Sequence, residues 1–168
     1  MATCYIQNSY KKDRAWADLL LPKIKRILLE NLANISCIRT SSEEEDMKES
    51  ADLIAEFLDG SPEKVAVRSR DILYKKYKDI TIRSKRETGV ATEIDKIKGG
   101  QISYYFYHWI TPDSFEWVLL DVKKMIEKDA FQYADPEITN KDGLTFFVPI
   151  KIKKLRELGC ILSECVNE

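Results

Sequence analysis

Residues 64–71 read KVAVRSRD, and residues 79–84 read DITIRS. Both runs alternate with a period of two, which an extended strand separates into two faces. Val65 and Val67 point one way, and Ala66, Arg68 and Arg70 the other. In the second run Ile80 and Ile82 share one face, and Thr81 and Arg83 the other. Two such strands side by side put their arginines on one face of a sheet. Concentrated guanidinium charge needs anions. Asp52 and Glu56 of the same chain, nucleic-acid phosphates or a protein partner would each supply them.

Charge segregation sharpens that demand. The chain of 168 residues has 27 Lys and Arg against 28 Asp and Glu, near neutrality. Residues 43–56 nevertheless carry seven acids against Lys48, and residues 64–86 carry nine bases against Asp71 and Asp79. The two blocks either neutralise each other or form an acidic, metal-holding pocket with a basic rim. A hydrophobic content of 44% is enough for a core, and the length fits a single domain spanning 1–168. No apolar run is long enough to cross a membrane, and the first residues lack the apolar core of a secretory signal. Cys4, Cys37, Cys160 and Cys165 form no CxxC pair and no disulfide framework, so free thiols in a reducing cytoplasm are expected.

Elsewhere the pattern predicts a helix over 10–32, with Trp16, Leu19, Leu20, Ile24, Ile27 and Leu28 on one face and a kink or restart at Pro22. NISCIRTSS reads as a weak strand or loop, 43–50 as a helical turn, and ADLIAEFL as a strand carrying Asp52. Thr92 caps a short helix that stops at Gly99. Residues 103–110 are an aromatic strand, and 115–122 are near-continuously apolar, as in a central strand. A helix over 123–129, a turn at 140–143 and a strand over LTFFVPIKI follow. The order predicts an α/β (α+β) fold, a mixed central sheet flanked by helices.

Several chemistries are excluded or weak. His108 is the one histidine, no nucleophile elbow accompanies it, and neither a Walker loop nor a GxGxxG run is present. Carboxylates followed by strand-borne bases remain. That combination suits divalent-metal phosphodiester chemistry, in which hard oxygen ligands hold the ion and a cation sits at the phosphate.

The layout resembles the PD-(D/E)XK, or restriction-endonuclease-like, class: helix 10–32, Asp52 on a strand, VAVRSR on the next, DITIRS, helix 92–98, then strand 103–110, an αβββαβ order. The motif departs from the class. Where an acid-x-lysine pair is expected, the strand reads Ala66-x-Arg68 or Arg68-x-Arg70. Arginine grips phosphate bidentately but stays charged and shuttles protons poorly. The strings EEDMKESADL, ITIRSKRETGVATEIDKIKGG, YYFYHW, WVLLDV and NKDGLTFFVPIKI are also similar to a group of bacteriophage-encoded proteins of that fold. His108 and the Gln101-Ile102-Ser103 stretch depart from that group's pattern.

The resemblance implies a phage origin and a restriction-endonuclease-like fold, and the expectation drawn from it is an accessory protein in the host cytoplasm that either cleaves nucleic acid with Mg²⁺ or Mn²⁺ or, as a decayed relative of such nucleases, binds DNA or RNA. The alternative it leaves is a non-enzymatic protein that binds a host defence protein or a nucleotide signal. The expected catalytic residues are Asp52, Arg68 and Arg70, and the expected metal ligands Asp52, Glu44 and Glu45. Nucleic-acid or partner contacts are expected from Arg68, Arg70, Lys75, Lys76, Arg83, Lys85 and Arg86. A homodimer through the aromatic strand is a further expectation.

Overall fold

A computed structural model describes residues 19–42, 52–87, 89–110, 115–140 and 143–166. The first half of the expected helix, with Trp16, the turn at 43–50, Glu44, Glu45 and Cys4 all lie outside them, as do Lys141 and Asp142 of the expected turn.

Helix α1 covers residues 19–31. Three antiparallel neighbours follow: β1 (Ile35–Thr40), β2 (Leu53–Phe57) and β3 (Pro62–Asp71). The chain then leaves this sheet. A 3-10 turn (Ile72–Tyr77) and β4 (Asp79–Arg86) lead to α2 (Glu93–Lys98). The return strand β5 (Tyr104–Ile110) lies parallel to β3, in register from Val65 opposite Tyr104 to Asp71 opposite Ile110. β6 (Phe115–Asp121) pairs antiparallel with β5. After α3 (Val122–Glu127), a second 3-10 turn (Ala130–Tyr133), β7 (Ile138–Thr139), β8 (Thr145–Lys151) and α4 (Ile152–Glu157), the strand β9 (Ile161–Cys165) closes the edge beside β6. The main sheet therefore runs β1-β2-β3-β5-β6-β9, and β4-β8-β7 form a second, three-stranded sheet.

This is a mixed central sheet flanked by helices, with the expected αβββαβ order. The assignment of its strands needs correction. The third strand of the opening meander is 62–71, because NISCIRT, read as a weak strand or loop, forms β1. DITIRS belongs to the second sheet and pairs with β8. The alternating pattern could not tell the two apart, since period two reports a strand and not its neighbour. β4 is also buried more completely than alternation implies: Asp79, Ile80, Thr81 and Ile82 are all buried. The helix α4 went unread because KIKKLREL runs on from an apolar strand without a capping side chain.

The sheet has a core on each face, and this sorts β3. Val65 and the partly buried Val67 pack toward α1, with Ile24, Leu28, Phe106 and Leu119. Ala66 packs on the opposite face with Ile80, Ile82, Ile97, Tyr105 and Tyr107. Arg68 and Arg70, two and four residues on, therefore point between the two sheets rather than into open solvent. The aromatic strand β5 is filler for both cores: Tyr105, Phe106, Tyr107 and Trp109 are buried. As an inner strand between β3 and β6 it offers no edge for the expected homodimer. Among the described residues, no helix is long and apolar enough to cross a membrane.

Candidate phosphate-binding cleft

β3 runs on past the point where β2 begins. β2 begins at Leu53, opposite Val65, so the next N–H of β3 on that side, at Val67, has no partner in β2. The Asp52 carboxylate takes its place: Oδ2 accepts the Val67 N–H at 2.6 Å. The Asp52 carbonyl is anchored in turn by the Ser41 N–H at 3.1 Å and the Ser41 hydroxyl at 3.0 Å. Asp52 thus stands in a bend just before β2, and its side chain completes a ladder.

Beside it, a polar cleft of about 210 Å³ opens between the sheets, lined by Asp52, Ala66, Arg68, Arg83, Arg86, Glu93 and Tyr105. Three guanidinium groups face two carboxylates. Glu93 enters from the first residue of α2. That helix begins sharply because Asp95 accepts the Thr92 N–H at 2.8 Å, closing the first turn. Glu93 and Ile97 are four apart and share the inward face, and Ile97 is fully buried.

Glu93 is held from three directions. Oε1 pairs with Arg68 Nη1 at 3.0 Å, with side-chain exposures of 14% and 17%. Oε2 accepts from the Arg83 N–H at 3.1 Å and the Tyr105 hydroxyl at 2.9 Å. Burial pushes the Glu93 carboxyl up; the Arg68 charge, with the Arg83 N–H and charge and the Tyr105 hydroxyl, outweighs it, and the group sits below its ordinary range. Burial followed by the Glu93 charge drives the Tyr105 hydroxyl well above its usual value, so it stays a donor. Burial lowers Arg68, and Glu93, with help from Tyr105, Tyr107 and Asp52, reverses this. Arg83 ends below its ordinary value because burial dominates there.

The arginines are not saturated. The Nε of Arg68 and the Nε of Arg83 are buried and meet no acceptor. A buried donor left so costs about 1–3 kcal/mol. The rings between the sheets soften the confinement: Arg68, Arg70 and Arg83 lie 5.2, 5.6 and 5.9 Å from the Phe147 ring centre, within cation–π range. Arg70 turns away from the cleft, donating to the Tyr107 hydroxyl at 3.2 Å and lying over Tyr74 at 4.6 Å.

The expected partners of the arginines are corrected here. Glu56 accepts from Arg39 at 3.3 Å on the far strand β1, and Arg68 pairs with Glu93 rather than with Asp52 or Glu56. Of the expected site residues, Asp52, Arg68, Arg83 and Arg86 converge on the cleft. Lys75 is drawn off to Glu116 at 2.6 Å, and Lys85 stands over Phe146 at 5.4 Å. Glu93 was missed. Its one sequence signal is its place four residues before Ile97, on the same buried face of the capped helix, which reads equally as a first-turn acid favoured by the helix dipole.

Among the described residues, the carboxylates at the cleft do not form a donor set for a resident Mg²⁺ or Mn²⁺; the expected ligands Glu44 and Glu45 lie outside them. Hard cations need free carboxylate oxygens. Glu93 has both oxygens engaged, one Asp52 oxygen serves Val67, and position 66, where the acid would stand, is alanine. Among the described residues no group of three or more His, Cys, Asp and Glu side chains is placed to hold a metal.

No protein-family model and no curated protein matches the chain. Among solved structures it is similar to that of Archaeoglobus fulgidus Hjc, a Holliday junction resolvase from an archaeal hyperthermophile. The two are 10% identical, the alignment covers 81% of this chain and 98% of that one, and the TM-score is 0.33.

Proposed function

We propose that the protein binds nucleic acid through its phosphodiester backbone, with one phosphate seated on Arg68, Arg83 and Arg86, and that it does so without metal-dependent cleavage. The restriction-endonuclease-like core supplies the frame, and the acid-x-lysine chemistry of that class is replaced in it by arginine. The observation that carries the reading is the cleft itself, where three guanidinium groups exceed two engaged carboxylates. Phosphate oxygens are the acceptors such groups take, bidentately and with charge. Arg68 is fixed by Glu93 and positions the seat. Arg86, at the exposed end of β4, is the group an incoming strand meets first. The bacteriophage-encoded group that the sequence resembles is the proposed setting.

The test has two parts. Wild-type protein is incubated with plasmid and oligonucleotides in Mg²⁺ or Mn²⁺, beside Asp52→Ala. Binding is measured in parallel for wild type and for the Arg83→Gln/Arg86→Gln pair. Binding lost in the arginine pair, with no cutting by pure wild type, is the expected outcome. Cutting that disappears in Asp52→Ala would overturn the non-hydrolytic reading, and absence of any binding would overturn the whole.

A further inference from the structure

The crossover between β3 and β4 carries chemistry that the cleft does not use. In the 3-10 turn Ile72–Tyr77, Tyr74 and Tyr77 are 41% and 52% exposed. Interleaved with them are Lys75 and Lys76, and Lys78 follows. The turn is fixed rather than loose. Asp71 caps it by accepting the Leu73 N–H at 2.8 Å. Lys78 closes it in the left-handed region, at φ 50°, unusual for a side chain with a Cβ. The Lys78 carbonyl accepts from the Ile152 N–H at 3.0 Å, and the Tyr77 carbonyl from Lys151 Nζ at 3.1 Å. Both bonds tie the turn to the start of α4.

That junction encloses a second cleft, of about 350 Å³, between the turn and α4. Ile152 and Val166 supply apolar lining, and Lys76, Lys78 and Lys153 supply cations that make no ion pair with the described residues. The tyrosine side of the turn reaches back to the first cleft. Tyr74 lies under Arg70, Arg70 shares the Phe147 ring with Arg68, and Arg68 lines the phosphate seat.

Amphipathic rings beside unpaired lysines suit an unpaired nucleotide. A duplex hides the faces of its bases, whereas a single strand offers a π-face at every residue and a phosphate between them. We propose that the Ile72–Tyr77 turn and its lysine cleft form a second seat that takes a single-stranded segment, its phosphate on Lys76, Lys78 and Lys153 and its base on Tyr74 or Tyr77. This rests on the nucleic-acid reading above and narrows it to overhangs or single strands.

Fluorescence anisotropy with a short single-stranded oligodeoxynucleotide and the matching blunt duplex tests it. Tyr74→Ala/Tyr77→Ala is expected to weaken single-strand binding on the order of tenfold and to leave the duplex unchanged. Tyr74→Phe/Tyr77→Phe is expected to retain single-strand binding, because the ring and not the hydroxyl stacks on a base. Lys76→Gln/Lys78→Gln/Lys153→Gln is expected to flatten the salt dependence for the single strand by roughly 0.7 units of slope, one phosphate contact. Equal loss on both substrates, or no loss in the alanine pair, would overturn the second seat while leaving the arginine cleft standing. Wild type that binds neither substrate would remove the nucleic-acid reading and this inference with it.

Discussion

Glu93→Gln separates a phosphate seat from a metal site more cleanly than any other single change. The amide keeps the size of the side chain and still offers an acceptor to Arg83 N–H and Tyr105, so the geometry of α2 survives. What it removes is the charge opposite Arg68 at 3.0 Å. Breaking a buried ion pair by neutralising one partner costs about 3–5 kcal/mol, because the other charge stays buried. Here the side chains keep 14% and 17% exposure and the other hydrogen bonds remain, which places the loss near the lower end, at about 3 kcal/mol. For a chain of this size that lowers the melting temperature by roughly 6–12 °C. Nucleic-acid binding is expected to move the opposite way. A repulsive carboxylate beside the phosphate is gone, worth about 1 kcal/mol in a wet cleft, or roughly fivefold tighter binding. Inorganic phosphate should also stabilise the variant more than wild type, since it restores the missing anion. Urea unfolding with and without phosphate, and anisotropy titrations, read these changes. An equally stable variant, or one that binds more weakly, would refute the arrangement of charges argued for the cleft.

Two further outcomes follow from the same structure. Asp52→Ala leaves the Val67 N–H without its partner and is expected to cost about 1–3 kcal/mol by urea unfolding. It should tighten rather than abolish nucleic-acid binding, so a loss of binding would contradict the ladder-closing role. His108 is fully buried, with Nε2 on the Ser69 hydroxyl at 2.7 Å, and burial lowers its pKa from 6.5 to about 4. The folded protein therefore resists the proton that the unfolded chain accepts. The resulting stability is fully present above pH 6.5 and is lost as pH falls through about 4, for a total of about 3 kcal/mol. Unfolding free energies measured across that window should show a slope that His108→Gln lacks, and an equal slope in both proteins would exclude His108 as its source.

The strands were the legible part of this chain. The split of β3 into a valine face and an arginine face follows from its period alone, and Thr92 and Gly99 mark the ends of α2 by their capping chemistry. The sheet to which β4 belongs was not legible. DITIRS and VAVRSR have the same alternation, and partner choice depends on contacts distant in sequence, such as Ile80 opposite Ile150. The site was half legible for the same reason. Arg68 and Arg83 announce a cationic face, but their counter-ion comes from a helix that follows in the chain, at a position where glutamate is commonplace. Asp52 was singled out as a ligand. Its backbone role became visible only once β2 was seen to begin one residue after Asp52, at Leu53, and to leave the Val67 N–H uncovered.

The claim that arginines, and not a metal ion, hold the backbone is tested most directly by salt. Each phosphate contact contributes about −0.9 to the slope of log K against log salt on duplex DNA, and about −0.7 on a single strand. Measured in EDTA, wild type should bind with a clear negative slope, and Arg83→Gln/Arg86→Gln, which empties the one phosphate seat, should reduce its magnitude by roughly 0.7–0.9. The same slope in both proteins, or binding that appears only when Mg²⁺ or Mn²⁺ is added, would contradict the account.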